Sequence, residues 1–370
     1  MKLSAVDIYP LRIPLKGSFA NAHQTKTFQE SIVVRIKTAD GLTGAGNVDP
    51  DPGHSEETCA ETLSAVRTLA PLLVGLDPFN TALCLETMDR AVSNRLDAKA
   101  VLEMALLDVK GKALQVPVHS LLGGAVKQEI HLNGWVGMLA PEEAAREAHH
   151  WSDLGFRSMK IKVGSGVDGD RDRLAAVRAA VGPKMQLRVD ANEGYGVDEA
   201  IRLARAMAPY DIAIFEQPVA RRDLAGMAAV RRAIDIPVMA DESIVGPDTL
   251  IEVIKQEAAD LIKVKVMKQG GLYRTAAMIH MAEAAGLRCV LGHGFGLTIN
   301  TLAELHVAAS AGNVIDGVEC VGPLKMQGDV VADPIRMTSG SVPVPDGPGL
   351  GAELSEDRLA AWQAPASEAL

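Results

Sequence analysis

The chain has 370 residues, of which 48% are hydrophobic and 23% charged, and its formal net charge is -10. This composition is typical of a globular protein with a large core, and the acidic balance excludes a broad basic surface for nucleic acid. The amino terminus shows no leader pattern, and no apolar run approaches the ~18 residues that span a bilayer. We therefore expect a cytoplasmic protein, with its four scattered cysteines reduced and without nucleic-acid or membrane partners.

The first part of the chain begins with strand-like segments and continues with helical ones. LSAVDIYPLRI and SIVVRIKTADGLTGAGNV are rich in strand-forming residues, and the ADG in the second segment is typical of a hairpin turn. Apolar residues then recur at helical spacing over residues 56–73 and 97–114. This order of elements predicts a small α+β domain over residues 1–125.

Strand-like and helical segments alternate over residues 126–333. Amphipathic stretches such as residues 141–155 separate the strands, which predicts a parallel sheet. Eight strand–helix units predict a closed TIM-type barrel rather than an open sheet. The Pro- and Gly-rich residues 334–370 are expected to return and pack on the first domain. The eight predicted strands are IHLNGWV, RSMKIKV, QLRVDA, IAIFEQ, PVMA, LIKVKV, RCVLG and VIDGVEC.

Charged or polar residues recur near the ends of these strands, at steps of 24 to 28 residues. Such a step is one strand–helix unit, and barrel enzymes build their active sites at the carboxyl ends of the strands. A solvated edge strand does not explain this pattern, because a closed barrel has no edges. The recurring residues are Lys162, Asp190, Glu216, Asp241, Lys265, His293 and Glu319.

Three of these residues, Asp190, Glu216 and Asp241, are carboxylates on consecutive strands. Neighbouring strands lie about 4.8 Å apart, so the carboxylates would repel one another strongly in an apolar setting. A hard divalent cation removes that repulsion, and oxygen ligands favour Mg²⁺, with Mn²⁺ as the second choice. The spacing disfavours the alternative in which each acid pairs separately with a lysine or arginine.

Two lysines are predicted to face each other across the barrel, Lys162 on the second strand and Lys265 on the sixth. A neutral lysine can abstract a proton, and an ammonium group can deliver one. Lys160 lies on the same strand face as Lys162, and its like charge would favour the neutral form of Lys162. Lys263 shares a strand face with Lys265, so geometry alone does not decide between them.

The strand ends carry five short motifs: KIK (160–162), VDAN (189–192), EQP (216–218), ADES (240–243) and KVMKQGG (265–271). These motifs resemble those of the enolase superfamily, and more narrowly the muconate lactonizing enzyme subgroup of the mandelate racemase/muconate lactonizing enzyme family. The resemblance implies an α/β fold in which an N-terminal α+β capping domain covers a modified (β/α)7β barrel. It implies that Asp190, Glu216 and Asp241 bind Mg²⁺ and that Lys162 is the acid/base, assisted by Lys160. The K-x-x-K-x-G-G pattern selects Lys265 as the opposing lysine.

The resemblance also implies the reaction class, which is removal or delivery of a proton α to a carboxylate through a metal-stabilised enolate. Our first hypothesis is a muconate-type cycloisomerase, because Glu319 and the following Gly-Pro resemble that group. The alternative is a two-lysine racemase or epimerase, or a dehydratase, of an amino-acid derivative. A catalytically silent binding or structural protein is the third hypothesis. A small carboxylate substrate and a homo-oligomer are expected in the first two cases.

Substrate specificity in this family is expected to come largely from the capping domain. Residues 18–28 and 47–54 are the predicted lids over the site. His293, on the seventh strand, either lines the pocket or is a histidine with its own partners at the strand end. Further candidates for contact with the substrate, or for support of the residues that make it, are Phe19, His23, Lys26, Asn192, Glu242 and Glu319.

Overall fold

The computed structural model describes residues 1–20, 25–53, 57–293 and 295–364, with the backbone alone described for residues 18–20. The chain opens with a three-stranded antiparallel sheet whose strands are neighbours in chain order. Buried and partly exposed side chains alternate over residues 34–38, whereas residues 44–48 are all buried. The strands are β1 (Leu3–Ala20), β2 (Thr25–Thr38) and β3 (Thr43–Val48).

Helices pack against this sheet. The third of them is buried on nearly all sides, and β3 approaches it so closely that only glycine fits at the contact. A Cβ atom placed on Gly46 would lie 2.0 Å from the carbonyl oxygen of Val101. The helices of this region are α1 (Cys59–Leu73), α2 (Thr81–Ala91), α3 (Leu96–Leu114) and α4 (Val118–Leu121).

A curled parallel sheet of seven strands follows, and its strands are neighbours in chain order. This arrangement confirms the predicted parallel α/β architecture. A short strand, β4 (Glu129–His131), precedes the sheet. The seven strands are β5 (Gly134–Val136), β6 (Ser158–Lys162), β7 (Gln186–Asp190), β8 (Ile212–Glu216), β9 (Val238–Ala240), β10 (Leu261–Val264) and β11 (Arg288–Leu291).

Helices connect the successive strands, and the main hydrophobic core lies between them and the sheet. Within the described ranges, none of the helices combines the length and the apolar character needed to cross a membrane. A single 3-10 turn, Ala208–Tyr210, precedes β8. The helices are α5 (Pro141–Asp153), α6 (Val167–Val181), α7 (Val197–Met207), α8 (Leu224–Ala233), α9 (Pro247–Lys255), α10 (Leu272–Ala284) and α11 (Thr298–Ser310).

The eighth predicted strand, residues 314–320, is not a regular strand in the structure. It makes isolated parallel bridges instead, because it contacts both edges of the seven-stranded sheet. The backbone N–H of Val318 donates to the carbonyl of His131 (2.9 Å), just before β5, and the N–H of Glu319 donates to the carbonyl of Leu291 (2.8 Å) in β11. The segment therefore links the first and last strands of the sheet.

The last part of the chain contacts the N-terminal sheet. Ala364 donates a backbone hydrogen bond to Pro10 of β1 (3.0 Å). Asp108 of α3 accepts backbone hydrogen bonds from Ala45 (2.8 Å) and Leu350 (2.7 Å), so it joins three distant segments. The domain boundaries at residues 125 and 333 stay predictions. The remaining elements are α12 (Gly322–Lys325), β12 (Ser341–Pro343), which pairs with β4, and α13 (Glu356–Trp362).

Candidate active site

The carboxyl ends of the parallel strands bring the predicted charged residues together. Lys162, Asp190 and Glu216 are the last residues of β6, β7 and β8, and they lie in register with one another. Asp241 directly follows β9, and Lys265 directly follows β10. All five side chains are buried. The strand-end pattern seen in the sequence therefore corresponds to one compact cluster in the structure.

Two lysines of β6 bind the same carboxylate oxygen. The Nζ atoms of Lys160 and Lys162 lie 3.0 Å and 2.6 Å from Oδ2 of Asp190. Lys160 also lies 2.6 Å from Glu319 and 3.3 Å from Glu216. Burial opposes the charge of Lys160, but these three carboxylates outweigh it and raise its pKa well above the usual value. Lys160 is therefore a fixed positive charge beside Lys162.

The segment after β10 places a second pair of lysines on Asp241. The Nζ of Lys265 lies 2.7 Å from Oδ2 of Asp241, and the Nζ of Lys268 lies 2.7 Å from Oδ1. Burial lowers the pKa of Lys268 to about 8. Burial also acts on Lys265, but the charge of Asp241 outweighs it and raises the Lys265 pKa. Lys263 is fully buried and lies 2.5 Å from Glu319 instead.

Burial is the strongest influence on the pKa of two carboxylates of the cluster. Burial, together with the charge of Asp190, raises the pKa of Glu216 to about 8. Burial and the charge of Asp241 raise the pKa of Glu242 to about 7. Among the described residues, no three His, Cys, Asp or Glu side chains form a preformed ligand cluster, and lysine ammonium groups lie between the acids. The donor set of buried carboxylate oxygens nevertheless fits a hard divalent cation chemically.

A cavity of about 470 Å³ lies over this cluster. Lys162 and Lys265 both line it, whereas Lys263 is not among its lining residues, which distinguishes the two lysines that the sequence left equivalent. Its wall is partly apolar, and Asp51 reaches it from the segment after β3. Among the described residues, the lining comprises Asp51, Asn133, Trp135, Lys160, Lys162, Lys265, Gly292, His293, Phe295, Glu319 and Val321.

Two other candidates, Asn192 and Glu242, lie behind the lysines rather than on the cavity surface. Asn192 accepts a hydrogen bond from Lys162 (2.6 Å) and donates one to Glu242 (2.9 Å). The backbone of Asn192 is left-handed, with φ at 42°, a conformation that carries strain in a residue other than glycine. Through these two hydrogen bonds, Asn192 links the ammonium group of Lys162 to Glu242.

His293 lines the cavity and also has partners of its own. Its Nε2 lies 3.0 Å from the amide nitrogen of Asn300, and its Nδ1 lies 3.4 Å from a carboxylate oxygen of Glu304. The structure therefore places His293 at the cavity wall and beside polar side chains of α11, and its role in the site stays a prediction. Asn300 and Glu304 were not predicted. Their signal in the sequence is a pair of polar residues at i and i+4 in the largely apolar helix α11.

The capping-domain candidates are only partly described. Lys26 forms an ion pair with Asp51 (2.6 Å), beside the cavity. Phe19 is placed by its backbone, opposite Lys26 in the β1–β2 register. His23 lies outside the described residues. Asp51 was missed as an individual candidate, although it falls inside the predicted lid over residues 47–54.

Comparison with known protein families covers nearly the whole chain. Residues 4–123 match the N-terminal domain of the mandelate racemase / muconate lactonizing enzyme family, and residues 143–358 match the family described as enolase C-terminal domain-like. The chain is 33% identical to the N-succinyl-L-Arg/Lys racemase of Bacillus cereus, with 97% of each chain covered. It is 35% identical to a hydrophobic dipeptide epimerase of Enterococcus faecalis (85% of this chain and 89% of the relative). It is 31% identical to muconate cycloisomerase 1 of Rhodococcus opacus, with 98% of each covered.

Solved structures agree with these matches. The N-succinyl Arg/Lys racemase of Bacillus cereus superposes with a TM-score of 0.95 at 32% identity, and 98% of each chain is covered. The dipeptide epimerase of Enterococcus faecalis, complexed with Mg and the dipeptide L-Leu-L-Tyr, superposes with a TM-score of 0.91 at 32% identity, covering 95% of this chain and 99% of the other. Racemases, epimerases and cycloisomerases are thus all similar to this chain, and the muconate lactonizing subgroup is one of several groups of relatives. The chain belongs to the mandelate racemase/muconate lactonizing enzyme family of the enolase superfamily, and it is an enzyme of that superfamily's isomerase type.

Proposed function

We propose that this enzyme racemises or epimerises an amino-acid derivative at the carbon α to its carboxylate. One observation carries the proposal: Lys162 and Lys265 come from the second and sixth strands of the curled sheet and line the same cavity. Inversion of a carbon centre by proton transfer requires an acid/base group on each face. Two lysines that approach one cavity from opposite sides meet that requirement.

The relatives support racemisation more strongly than our first hypothesis of a muconate cycloisomerase. The N-succinyl-L-Arg/Lys racemase matches over 97% of the chain and the hydrophobic dipeptide epimerase over 85%, both at higher identity than muconate cycloisomerase 1. Cycloisomerisation remains the second candidate function because that relative matches 98% of the chain. Cycloisomerisation uses one proton carrier, so in that reaction Lys265 would act only through its positive charge.

The side chains around the two lysines fix where each proton is held. Asp190 and Asn192 hold the Nζ of Lys162, each at 2.6 Å. On the opposite side, Asp241 orients Lys265 through one oxygen while Lys268 occupies the other. One lysine takes the α-proton at its Nζ, and the other returns a proton to the opposite face.

The reaction also needs positive charge next to the substrate carboxylate, and the strand-end acids suggest its source. Asp190, Glu216 and Asp241 would hold Mg²⁺, which is present with a dipeptide in the solved epimerase of Enterococcus faecalis. When bound, Mg²⁺ supplies positive charge that stabilises negative charge developing on the carboxylate. Mn²⁺ in its place, a homo-oligomer and a cytoplasmic location stay predictions.

Exchange of the α-proton with deuterated water tests the proposal directly. The substrates are N-acyl amino acids and dipeptides, each offered as separate enantiomers with Mg²⁺ present. We expect Lys162→Ala to block exchange from one enantiomer and Lys265→Ala to block it from the other. Lys255→Ala, which changes an exposed lysine, is the control. If both active-site variants still exchange both enantiomers, the two-lysine proposal is wrong, and loss of the muconate ultraviolet absorbance tests the cycloisomerase instead.

A further inference from the structure

Arg221, which lies between β8 and α8, contacts three other segments of the chain. Its Nη2 and Nε atoms donate to the carboxylate of Glu193 at 2.6 Å and 3.0 Å, and its backbone N–H donates to the same carboxylate at 2.6 Å. The Nη2 atom also donates to the carbonyl of Gly53, in the segment after β3 (3.1 Å). The carbonyl of Arg221 accepts from the hydroxyl of Ser243, after β9 (2.9 Å). Arg221 therefore joins the N-terminal part of the chain to the turns that follow β7 and β9.

The ion pair between Arg221 and Glu193 is largely withdrawn from water. The two side chains are 19% and 15% exposed. An exposed pair would contribute little, because water and salt screen it. Two parallel N–H contacts from a guanidinium group to one carboxylate are stronger than neutral hydrogen bonds, and they fix the direction of both side chains. The pair therefore holds Arg221 in the orientation that reaches Gly53.

Gly53 belongs to a short segment, residues 49–53, that follows β3 and reaches the cavity. The segment contains two prolines, which lack a backbone N–H, so it can donate few backbone hydrogen bonds of its own. The N–H of Gly53 donates to Oδ1 of Asp51 (2.9 Å), and Asp51 lines the cavity. The hydrogen bond from Arg221 therefore acts on the residue that contacts Asp51.

The turn that holds Arg221 also contacts one of the two proposed acid/base lysines. Glu193 directly follows Asn192, which accepts a hydrogen bond of 2.6 Å from the Nζ of Lys162. One turn after β7 is thus connected to Lys162 through Asn192. The same turn is connected to the cavity wall at Asp51 through Glu193 and Arg221.

We propose that Arg221 is a positioning residue, which holds residues 49–53 against the strand ends and so keeps Asp51 at the cavity wall. The inference rests on the proposed racemase function, because that function places the substrate in this cavity. Arg221 is not among the described residues that line the cavity, so it acts through residues 49–53 rather than by touching the substrate. The two acid/base lysines have partners of their own. Loss of Arg221 therefore weakens substrate binding more than it slows proton transfer.

Arg221→Met, which removes the charge and keeps most of the side-chain length, tests the inference in the Mg²⁺-loaded protein. For each N-acyl amino acid or dipeptide that undergoes α-proton exchange, KM should rise about tenfold while kcat stays within about threefold, as expected when an interaction that supports binding is lost. Arg221→Lys keeps the charge without the planar fork, so it should recover part of the loss. Arg222→Met removes the same charge from the exposed neighbouring residue and should leave KM unchanged.

Hydrogen–deuterium exchange of the backbone, followed by mass spectrometry without substrate, gives a readout that does not depend on the reaction. Arg221→Met should speed exchange by about threefold or more in peptides that contain residues 49–53, and Arg222→Met should not. Glu193→Gln weakens the pair that holds Arg221, so it should change the same peptides and keeps the test open if Arg221→Met does not fold. A general loss of stability would instead speed exchange throughout the protein.

The two readouts separate failure of this inference from failure of the proposed function. The inference is overturned if the racemase is active and Arg221→Met leaves either KM or the exchange of residues 49–53 unchanged. It is also overturned if exchange rises equally throughout the protein. If residues 49–53 respond to Arg221→Met and none of the substrates shows α-proton exchange, the racemase function is refuted and the role of Arg221 in holding this segment stands.

Discussion

Glu103 of α3 accepts a hydrogen bond of 2.9 Å from the backbone N–H of Tyr273, in the first turn of α10. Its other carboxylate oxygen accepts from the N–H of Leu272. The first N–H groups of a helix have no partner within the helix, so this carboxylate caps α10 from outside. Because α10 directly follows the segment that carries Lys265 and Lys268, Glu103 ties the N-terminal helices to one side of the candidate active site.

Glu103→Ala should lower the free energy of unfolding by about 1–3 kcal/mol, because two buried N–H groups lose their acceptor. Urea denaturation followed by circular dichroism measures the change. Glu86→Ala is the control, since Glu86 is exposed and pairs with Arg90 of the same helix. The control should stay within about 0.5 kcal/mol of the original protein. Equal stability of the two variants would show that the cap contributes little.

Gly46→Ala should destabilise the protein by about 2 kcal/mol or more, because a Cβ atom there overlaps the carbonyl oxygen of Val101 in α3. Gly169→Ala is the matched control. Gly169 lies in α6, and a Cβ atom at this position would meet no other atom within 4 Å, so the change should be neutral or stabilising by up to about 1 kcal/mol. Thermal unfolding measures the stability of the two variants relative to the original protein. If Gly46→Ala leaves the stability of the protein unchanged, β3 and α3 can move apart without a loss of free energy of unfolding.

Because His306 is buried in its neutral form, we expect the free energy of unfolding to fall in acid. Burial lowers the pKa of its imidazole to about 3, and the ring is held neutral between the backbone N–H of His119 and the carbonyl of Leu350. The unfolded ring has a pKa of about 6.5, so the unfolded state binds more protons between these values and stability falls as the pH drops below about 6.5.

The His306→Gln variant isolates this effect, because glutamine does not titrate. Between pH 7 and pH 5 the original protein should lose about 2 kcal/mol more unfolding free energy than His306→Gln does. His149→Gln, at an exposed position on α5, should behave like the original protein. If the unfolding free energy of the original protein and of His306→Gln changes with pH in the same way, His306 does not cause the loss of stability in acid.

Metal removal tests the proposed role of the strand-end carboxylates. Treatment with a chelator should abolish α-proton exchange, and added Mg²⁺ should restore it, because Asp190, Glu216 and Asp241 would then regain their cation. Chelator already saturated with Mg²⁺ is the control. Glu216→Gln should weaken Mg²⁺ binding, which calorimetry measures without turnover. Exchange that persists in a metal-free sample would refute the metal proposal.

The strand-end cluster was predictable because it depends on a local rule. Each strand–helix unit returns the chain to the same edge of the sheet, so the spacing of residues such as Asp190 and Glu216 indicates their position. Alternation along a strand did not separate Lys263 from Lys265. The structure does, because β10 ends at Val264 and Lys265 lies beyond the strand, where alternation no longer applies.

The partners of these residues were harder to foresee. Asp51 reaches the cavity from the segment after β3, and Glu304 reaches His293 from α11. Such contacts depend on how segments far apart in the chain pack, which residue spacing does not encode. The eighth predicted strand failed for a related reason. Residues 314–320 have the composition of a strand, but they contact two edges at once and so form no continuous ladder with either.

That linking segment has a consequence for biosynthesis. The bridge between Leu132 and Val318 joins positions separated by most of the barrel sequence, so the two edges of the sheet meet only after residue 319 has left the ribosome. Contacts between such distant positions slow folding and prolong the exposure of unpaired strand edges. The nascent chain is therefore most vulnerable to aggregation late in translation, when six or seven strands have emerged and the segment that joins their edges has not.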